Sequence, residues 1–245
     1  MQPLLAINSI MKKIILFCLI FVFSLFFAQK EIFKSKTQII YSMDFKADST
    51  KSEITNDILT LYLNEKSSIF QNDKKYKIDS IINSQLSFQM PSRPMFKVSH
   101  VIYKDYIKNE QIYSDKIESV NFGYKENNPP MKWKLINEEK EILSQKCFKA
   151  ITSFRGRNFI AWYTKDIPIN DGPYKFSGLP GLILEVYDDN ENFHYKPLAI
   201  INKNQEILYD KDIKFIERIK MVEARINLIK KHIKGDIKVN PLEKK

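Results

Sequence analysis

The sequence has few of the residues on which catalytic, redox and metal sites are usually built. It contains two cysteines and three histidines, and it carries no HExxH, no GxSxG and no pair of Cys or His residues at zinc-binding spacing. These absences do not favour an enzyme. The sequence therefore predicts no catalytic residues, no metal site and no cofactor, and it leaves a non-catalytic protein as the favoured class.

Long hydrophobic runs are also scarce, and the one that is present stands near the N-terminus. Residues Ile14 to Phe27 are apolar except for one serine, and they follow Lys12-Lys13. A charged stretch, an apolar stretch and a small residue, here Ala28, are typical of a secretory signal. We predict a signal peptide over residues 1–28, with Met11 as a candidate for the true start.

This run does not predict a membrane anchor in the mature chain. A helix needs roughly 20 apolar residues to cross the hydrocarbon of a bilayer, and the run ends at the polar, charged Gln29-Lys30-Glu31. Bulky residues before Cys18 also argue against lipid attachment at that cysteine. The predicted mature protein begins at Gln29 and has no transmembrane segment.

Cys147 is the one cysteine of the predicted mature chain. A single thiol cannot form a disulfide within one chain, although an exported protein meets oxidising conditions. Cys147 lies in a strand-like run, where cysteine usually packs as a small apolar residue. A nucleophilic role would need a histidine base nearby, and none of His100, His194 and His232 has a recognisable local signature.

The charge balance is basic. The formal net charge is +10 and the isoelectric point about 9.3, with much of the excess over residues 203–245. Because acidic residues are scattered among the lysines, this pattern does not predict nucleic-acid binding. It predicts a solvated lysine-rich surface, with an anionic lipid or polysaccharide as the alternative neighbour.

Alternating apolar residues predict strands joined by short polar turns over most of the chain. Two hairpins are expected, around Asn64-Glu65-Lys66 and around Lys108-Asn109-Glu110. Further strands are expected at these segments: Thr37 to Phe45, Lys132 to Ile136, Ile142 to Phe154, Phe159 to Thr164, Leu182 to Tyr187 and Phe193 to Ile201. A turn is expected at Asn137 to Lys140.

Helical spacing of apolar residues predicts two helices. The first covers Lys75 to Phe88, and the second is a basic helix containing Ile213, Ile216, Ile219, Ile226 and Ile229. Successive hairpins favour antiparallel pairing. We therefore expect an α+β, predominantly antiparallel fold, a curved, half-barrel-like sheet with one or two packing helices, forming a single domain over residues 29–245 with a basic helical tail from about residue 204.

The segment from Gln145 to Asp188 contains Gly178-Leu179-Pro180-Gly181-Leu182-Ile183, preceded by Ala161-Trp162-Tyr163-Thr164 and Asp166-Ile167-Pro168. This ordered set resembles the diagnostic segment of the GLPGLI family of exported bacterial proteins. The rest of the chain is similar to that family only in its layout. The resemblance implies export in bacteria with an outer membrane, to the periplasm, the outer membrane or the medium, and a molecular function that is not established.

The motif residues also have a conformational explanation. Pro180 and Gly181 fit the two central positions of a type II turn that leads into a buried strand at Leu182. The alternative is that the backbone N–H groups of Gly178, Leu179 and Gly181 bind a ligand, as they do in phosphate loops, although the lysine and the helix of a P-loop are missing.

Three nearby side chains complete the candidate ligand-binding set. Arg155 and Arg157 flank Gly156 and could clamp a carboxylate or phosphate, the alternative being an exposed charged turn. Trp162 lies in a strand that is apolar on both faces, so a helix or a ligand is expected to cover each face.

Three functions remain open at this point. The favoured one is non-catalytic binding or carriage of a hydrophobic ligand or an extended peptide in the bacterial envelope. The second is an interaction module that docks on an outer-membrane complex through the basic C-terminal helix. The third is an uncharacterised hydrolase or processing enzyme that uses Cys147 or the carboxylates of Asp166, Asp171 and Glu185.

Overall fold

The computed structural model of the chain describes residues 30–73, 98–128, 131–232 and 238–244. The predicted signal peptide, residues 1–28, and the predicted helix Lys75 to Phe88 lie outside the described residues.

The described residues belong to two compact units. The smaller unit is described at residues 30–33 and 207–212, where Phe33, Ile207 and Tyr209 are buried. The larger unit takes in the described parts of residues 34–206 and 213–245. The core and the candidate sites described below lie in the larger unit.

The described part of the chain contains twelve strands in one sheet and one helix. The order across the sheet is β12-β6-β5-β4-β3-β2-β1-β11-β10-β9-β8-β7. The bounds are β1 (Lys30–Phe45), β2 (Thr55–Leu63), β3 (Ser67–Gln71), β4 (Val101–Asp105), β5 (Glu110–Ile117), β6 (Val120–Asn127), β7 (Lys134–Ile142), β8 (Gln145–Phe154), β9 (Arg157–Thr164), β10 (Leu182–Asp188), β11 (Phe193–Asp210), β12 (Lys214–Phe215) and α1 (Arg218–His232).

The sheet consists of two meanders joined along β1 and β11. In the first meander, strands β1 to β6 follow one another across one half of the sheet. In the second, β7 to β11 follow one another across the other half. Asp44 forms an ion pair with Lys196 at 2.8 Å and Lys34 with Glu206 at 3.5 Å. The residue number therefore falls along β11 as it rises along β1, and the two strands run antiparallel.

The predicted fold class is confirmed. Each strand pair with a described register is antiparallel except β12 with β6, which is parallel. The sheet is open, and chain connectivity requires it to curve. Ten spacings separate β6 from β7, about 48 Å in a flat sheet, whereas residues 128–133 between them can reach about 25 Å at full extension.

The two predicted hairpins are present, and a polar side chain organises each turn. Asn64 Oδ1 accepts the backbone N–H groups of Lys66 and Ser67 at 2.9 Å. In the second hairpin, Asp105 Oδ1 accepts those of Ile107 and Lys108 at 3.0 Å. These contacts satisfy turn amides that neither strand can pair.

Two predictions are wrong, and one strand of the structure has no predicted counterpart. Residues Asn137 to Lys140 do not form a turn, because β7 continues through them with an irregularity between Ile136 and Glu139. The strand β6 was not expected. The chain is not helical from about residue 204, since β11 extends to Asp210 and α1 begins at Arg218, leaving Ile213 and Ile216 outside the helix.

The helix α1 packs against β5 and β6. Met221 is buried in this contact at 1% exposure, and Arg225 lies 3.2 Å from the buried carboxylate of Asp115. The helix is therefore attached to the sheet by both an apolar and a charged contact. Among the described residues, no helix combines the length and the apolar character needed to span a bilayer.

The long connection between β9 and β10 fills one face of the sheet, which we call the inner face. We call residues 165–181 the inner segment. Its Phe176 is fully buried, and the ring centroid lies 4.8 Å from that of Phe159 in β9 and 6.5 Å from that of Tyr195 in β11. Side chains of this segment thus form part of the hydrophobic core.

Candidate functional site

The GLPGLI motif forms the end of the inner segment and the start of β10. The N–H of Gly181 donates to the carbonyl of Leu179 at 2.8 Å, and that of Leu182 donates to the carbonyl of Ile167 at 3.1 Å. The turn around Pro180 is therefore a three-residue turn rather than the predicted type II turn, which would bond Leu182 to Leu179. The expected entry into a buried strand is present, because Leu182 and the two residues after it are 0% exposed.

The two glycines of the motif are fixed by backbone conformation and by space. Gly181 has φ +148°, and a Cβ added there would lie 2.0 Å from the carbonyl oxygen of Thr164. Gly178 has φ +96° and lies against Trp133, and its N–H donates to the side-chain oxygen of Asn170. The N–H groups of Gly178 and Gly181 are thus engaged within the chain, as a structural role requires.

A buried ion pair ties the inner segment to the first meander. Asp171, at 0% exposure, pairs with the ammonium group of Lys104, which is 1% exposed. The other carboxylate oxygen of Asp171 accepts hydrogen bonds from the hydroxyls of Ser68 at 2.5 Å and Tyr106 at 2.6 Å. Burial lowers the pKa of Lys104, and the attraction of Asp171 opposes that shift. Such a pair is tolerated because each charged atom has partners.

A second charged group fixes the middle of the inner segment. Lys175, also 0% exposed, donates to the Tyr124 hydroxyl at 2.6 Å and to Glu126 at 2.7 Å. Tyr174 donates to Glu243 at 2.6 Å. The space beside the GLPGLI turn is therefore occupied by side chains of the chain itself, with their polar atoms paired.

Arg155 and Arg157 are neither an open anion clamp nor an exposed charged turn. Arg157 is 5% exposed, lies 2.9 Å from the buried Asp188, and has its guanidinium carbon 4.7 Å from the Phe193 ring centroid. Arg155 pairs with Glu126 at 2.7 Å. The positive φ angles of Arg155 and Gly156 are those of a tight hairpin turn between β8 and β9.

Trp162 faces away from the inner segment. It lies opposite Lys149 in β8 and opposite Glu185 in β10, so these three side chains share one face of the sheet. Its neighbour Ala161 and the next inner residue, Phe159, face the inner segment. We call the face that carries Trp162 the outer face.

On the outer face, charged and aromatic groups converge into what we call the Trp162 cluster, which consists of Lys140, Lys149, Trp162, Glu185 and His194. The ammonium nitrogens of Lys140 and Lys149 lie 4.4 Å and 5.8 Å from the Trp162 ring centroid. Glu185 pairs with Lys140 and lies 2.7 Å from His194 Nε2. Cations above an indole face are attracted to its electron density.

Within the cluster, the surroundings of Glu185 stabilise the charged form of its carboxylate. Burial works to raise the pKa of Glu185, but the hydrogen bonds from His194 and Lys140 bring that pKa below its ordinary value. Lys140 keeps 36% of its side chain exposed. Trp162 is 7% exposed, and its Nε1 has no hydrogen-bond partner among the described residues. The cluster therefore combines a desolvated indole with a cation that remains reachable.

Cys147 lies directly opposite Lys140 on the same pair of strands. It is fully buried, and burial raises its pKa to about 11. Because the thiolate is the nucleophilic form, a thiol with this pKa is protonated at neutral pH. Its surroundings favour the predicted packing role.

Two of the carboxylates considered for acid–base work, Asp171 and Glu185, do not meet in one cleft. Asp171 is buried on the inner face, whereas Glu185 belongs to the outer face. Within the described ranges, no three residues among His, Cys, Asp and Glu converge as metal ligands.

The sequence marks Trp162 and Glu185 separately as candidate residues and does not show that they lie side by side. Side chains at alternate positions of a strand share one face of the sheet. This period of two in β8, β9 and β10 indicates which residues of each strand share a face with Lys149, Trp162 or Glu185. Their adjacency depends on strand register, because a shift of one residue would move the side chains of a strand to the other face of the sheet. The contribution of Lys140 was hidden by the predicted turn at Asn137 to Lys140.

The comparisons with known proteins identify no activity. A family model described as a protein of unknown function (Porph_ging) matches residues 154–185. The matched family is one of unknown function. The match runs from the end of β8 into β10, and it includes the complete GLPGLI motif. No functionally curated protein matches the sequence.

Two solved structures of PNGF-II, in space groups P21 and C2, resemble the fold. They are 17% identical in sequence to this chain, with TM-scores of 0.57 and 0.56. The likeness covers 79% and 78% of this chain but 34% and 33% of PNGF-II. The chain thus spans about a third of the length of that protein, and at this identity the likeness shows the fold alone.

Proposed function

We propose that this chain is an exported, non-catalytic binding protein of the GLPGLI type that acts in the bacterial envelope by adding an extended peptide to β7. The peptide would be a segment of another envelope protein, and it would carry an acidic side chain that contacts the Trp162 cluster. The proposal keeps the extended-peptide ligand that the sequence left open, and it places the docking surface at β7 rather than at the basic C-terminal helix.

The observation that carries the proposal is the position of β7. It is the last strand of the described sheet on the side of β8, and an edge strand leaves backbone N–H and C=O groups unpaired. Its pairing with β8 is regular from Glu139 to Ile142. An added strand gains main-chain hydrogen bonds there, while side chains at alternate positions supply specificity.

Lys140 connects this edge to the cluster. It belongs to β7, and its ammonium group contacts both Glu185 and the Trp162 ring. A residue directly opposite Lys140 on an added strand would have its Cβ about 5 Å away. A glutamate at that position would share the ammonium group of Lys140, whereas a lysine there would be repelled.

The inner face offers less support for a carrier of hydrophobic ligands. A carrier needs space between the sheet and its cover, and the side chains of Tyr174, Phe176 and Leu179 are buried there. The resemblance to about a third of a longer protein fits a fold that works as a module, which is an argument from fold alone.

The fluorescence of Trp162 tests the proposal directly. The protein has two tryptophans, so a Trp133→Phe variant leaves Trp162 as the single reporter. A peptide of alternating threonine and valine with one central glutamate should produce a saturable change in emission. The same peptide with a central lysine should bind at least tenfold more weakly, because it places like charges together.

Two matched variants of β7 separate the cluster from the general charge of the strand. Lys140→Gln should weaken binding of the glutamate peptide about threefold to tenfold, the range of a partly exposed ion pair. Lys134→Gln removes the same charge from the other end of β7 and should leave binding unchanged. Equal binding of the glutamate and lysine peptides, or no change in emission with either, would contradict the proposal.

A further inference from the structure

Lys104 and Asp171 are buried together in the larger unit, and peptide binding at β7 uses neither residue. The ammonium nitrogen of Lys104 directly contacts Oδ1 of Asp171, and the two side chains are 1% and 0% exposed. A nitrogen in contact with one oxygen of a carboxylate lies about 3–3.5 Å from the carboxylate carbon, a separation from which a bond can form. The pair therefore places an amine nitrogen beside a carboxyl carbon that it can attack.

Both residues are fixed by the main chain around them. Lys104 belongs to β4, and the register with β3 puts it directly opposite Ser68. The N–H of Asp171 donates to the carbonyl of Ile169, and the carbonyl of Asp171 accepts the N–H of Ile183, both at 2.8 Å. Holding two reacting groups in one orientation is worth an effective concentration of roughly 10⁵–10⁸ M in well-oriented cases. The folded chain thus keeps the nitrogen at the carboxyl group.

Two hydroxyls donate to the second oxygen of the Asp171 carboxyl group. Ser68 lies 2.5 Å and Tyr106 2.6 Å from it. When a nitrogen adds to a carboxyl carbon, negative charge develops on a carboxyl oxygen, and donors aimed at that oxygen stabilise the transition state. Among the described residues, Lys104 is the one cation that contacts this carboxyl group. The arrangement therefore favours attack by Lys104 as well as the resting ion pair.

A nucleophilic amine must be neutral, and two features of the site favour the neutral form of Lys104. Burial lowers its pKa and the positive charge of Lys175 acts in the same direction, although the attraction of Asp171 opposes them. Because burial disfavours charged forms, one proton can pass from the ammonium group to the carboxylate within the pair. This transfer leaves an amine beside a carboxylic acid.

We infer that Lys104 and Asp171 condense to an amide, an isopeptide bond that ties the inner segment covalently to β4. The nitrogen forms a bond to Cγ of Asp171, and the bond from Cγ to one carboxyl oxygen breaks. That oxygen leaves as water with two protons from the nitrogen, so no oxidant or cofactor is consumed. The structure shows the pair before this step. The bond removes two buried charges and does not depend on peptide binding at β7.

A second buried pair, Lys175 and Glu243, provides a comparison within the same chain. Their charged atoms lie 2.6 Å apart, but Glu243 is also 3.0 Å from Arg218. Burial works to raise the pKa of Glu243, whereas Lys175, the Tyr174 hydroxyl and Arg155 bring that pKa below its ordinary value. Because an ionised carboxylate is a poor target for a nucleophile, this pair should remain an ion pair.

Mass spectrometry of the full exported protein tests the bond. The wild-type chain should be lighter than its sequence by one water, and trypsin should fail to cleave after Lys104, which leaves a branched peptide that carries Lys104 and Asp171. Lys104→Arg keeps the positive charge but removes the nucleophilic amine, so that variant should have its full mass. Glu243→Gln is the matched control and should still lack one water. These masses are read on denatured protein and do not require the variants to be stable.

Tyr106→Phe tests the contribution of the hydroxyl. Loss of one donor should slow formation of the bond about tenfold or more in freshly synthesised protein, and an unchanged rate would overturn the assigned role of Tyr106. A wild-type chain of full mass that trypsin cleaves after Lys104 would overturn the bond itself. A branched peptide that joins Lys175 to Glu243 instead would overturn the chemical argument for Lys104.

Discussion

Single residues of the inner segment explain why the GLPGLI motif has its particular composition. Gly181 is required both by its positive φ and by the carbonyl of Thr164, while Pro180 fixes the sharp turn and Leu179 is buried at 1% exposure. The polar residues before the motif are as constrained as the motif itself, because Asp171 and Lys175 are fully buried with charged partners. The motif is the end of a packed segment rather than an open loop.

Gly181→Ala should therefore destabilise the protein strongly. The new Cβ would collide with the Thr164 carbonyl oxygen at 2.0 Å, and the backbone would be strained as well. We expect a loss of about 3 kcal/mol or more in the free energy of unfolding, measured by urea denaturation. Gly156→Ala is the matched control, since Gly156 has φ +79° in an exposed turn, and it should cost about 1 kcal/mol. Equal costs would contradict the structural role of the motif.

The Lys104–Asp171 pair makes a second prediction at this scale. Asp171→Ala leaves a fully buried ammonium group without its carboxylate, which should cost about 3–5 kcal/mol in unfolding free energy. The double variant Lys104→Met with Asp171→Ala removes the stranded charge and should recover part of that loss. Thermal and urea unfolding of the three proteins measure this. A double variant less stable than Asp171→Ala would mean that the charge is not the cause.

At the scale of the elements, the strands could be predicted where apolar residues alternate and a polar turn follows. The hairpins at Asn64 and at Asp105 are examples. The pattern does not predict β6, because Gly123 interrupts its alternation of apolar residues. The structure explains the glycine, since a Cβ there would meet Ile213 and the carbonyl of Tyr113. The helical start near residue 204 was wrong because lysines on an exposed strand resemble those on an exposed helix.

The candidate site was less accessible to sequence reasoning than the strands. Lys140, Trp162 and Glu185 come from three strands, and their meeting depends on long-range register that no local pattern specifies. The buried charges of the inner segment were equally hidden, because lysine and aspartate in a loop ordinarily indicate solvent.

Glu243, whose carboxylate lies 2.6 Å from Lys175 and 3.0 Å from Arg218, gives a pH-dependent prediction. Because the pKa of Glu243 is lowered in the folded protein, its stabilisation is complete above the unfolded value of about 4.3. It is lost as the pH falls through the folded pKa. Glu243→Gln should lower the unfolding free energy at pH 7 by about 1.5–3 kcal/mol. Urea unfolding between pH 7 and pH 2.5 should show the two proteins converging at low pH. A constant difference would contradict the assigned charge.

At the scale of the larger unit, the two faces of the second meander differ in the side chains that cover them. The inner face is filled by the inner segment with paired charges, and the outer face carries the Trp162 cluster beside the edge strand β7. Binding is therefore proposed at the sheet edge and the outer face rather than in an internal cavity. The main functional proposal is the addition of a peptide to β7.

Peptide addition is tested by amide hydrogen exchange of β7 with and without the glutamate peptide. Strand addition should slow exchange of the edge-facing amides between Glu139 and Ile142, because they gain acceptors on the added strand, while the amides of β12 at the opposite edge keep their rates. Saturating peptide that leaves exchange in β7 unchanged, or that protects β12 instead, would contradict peptide addition at β7.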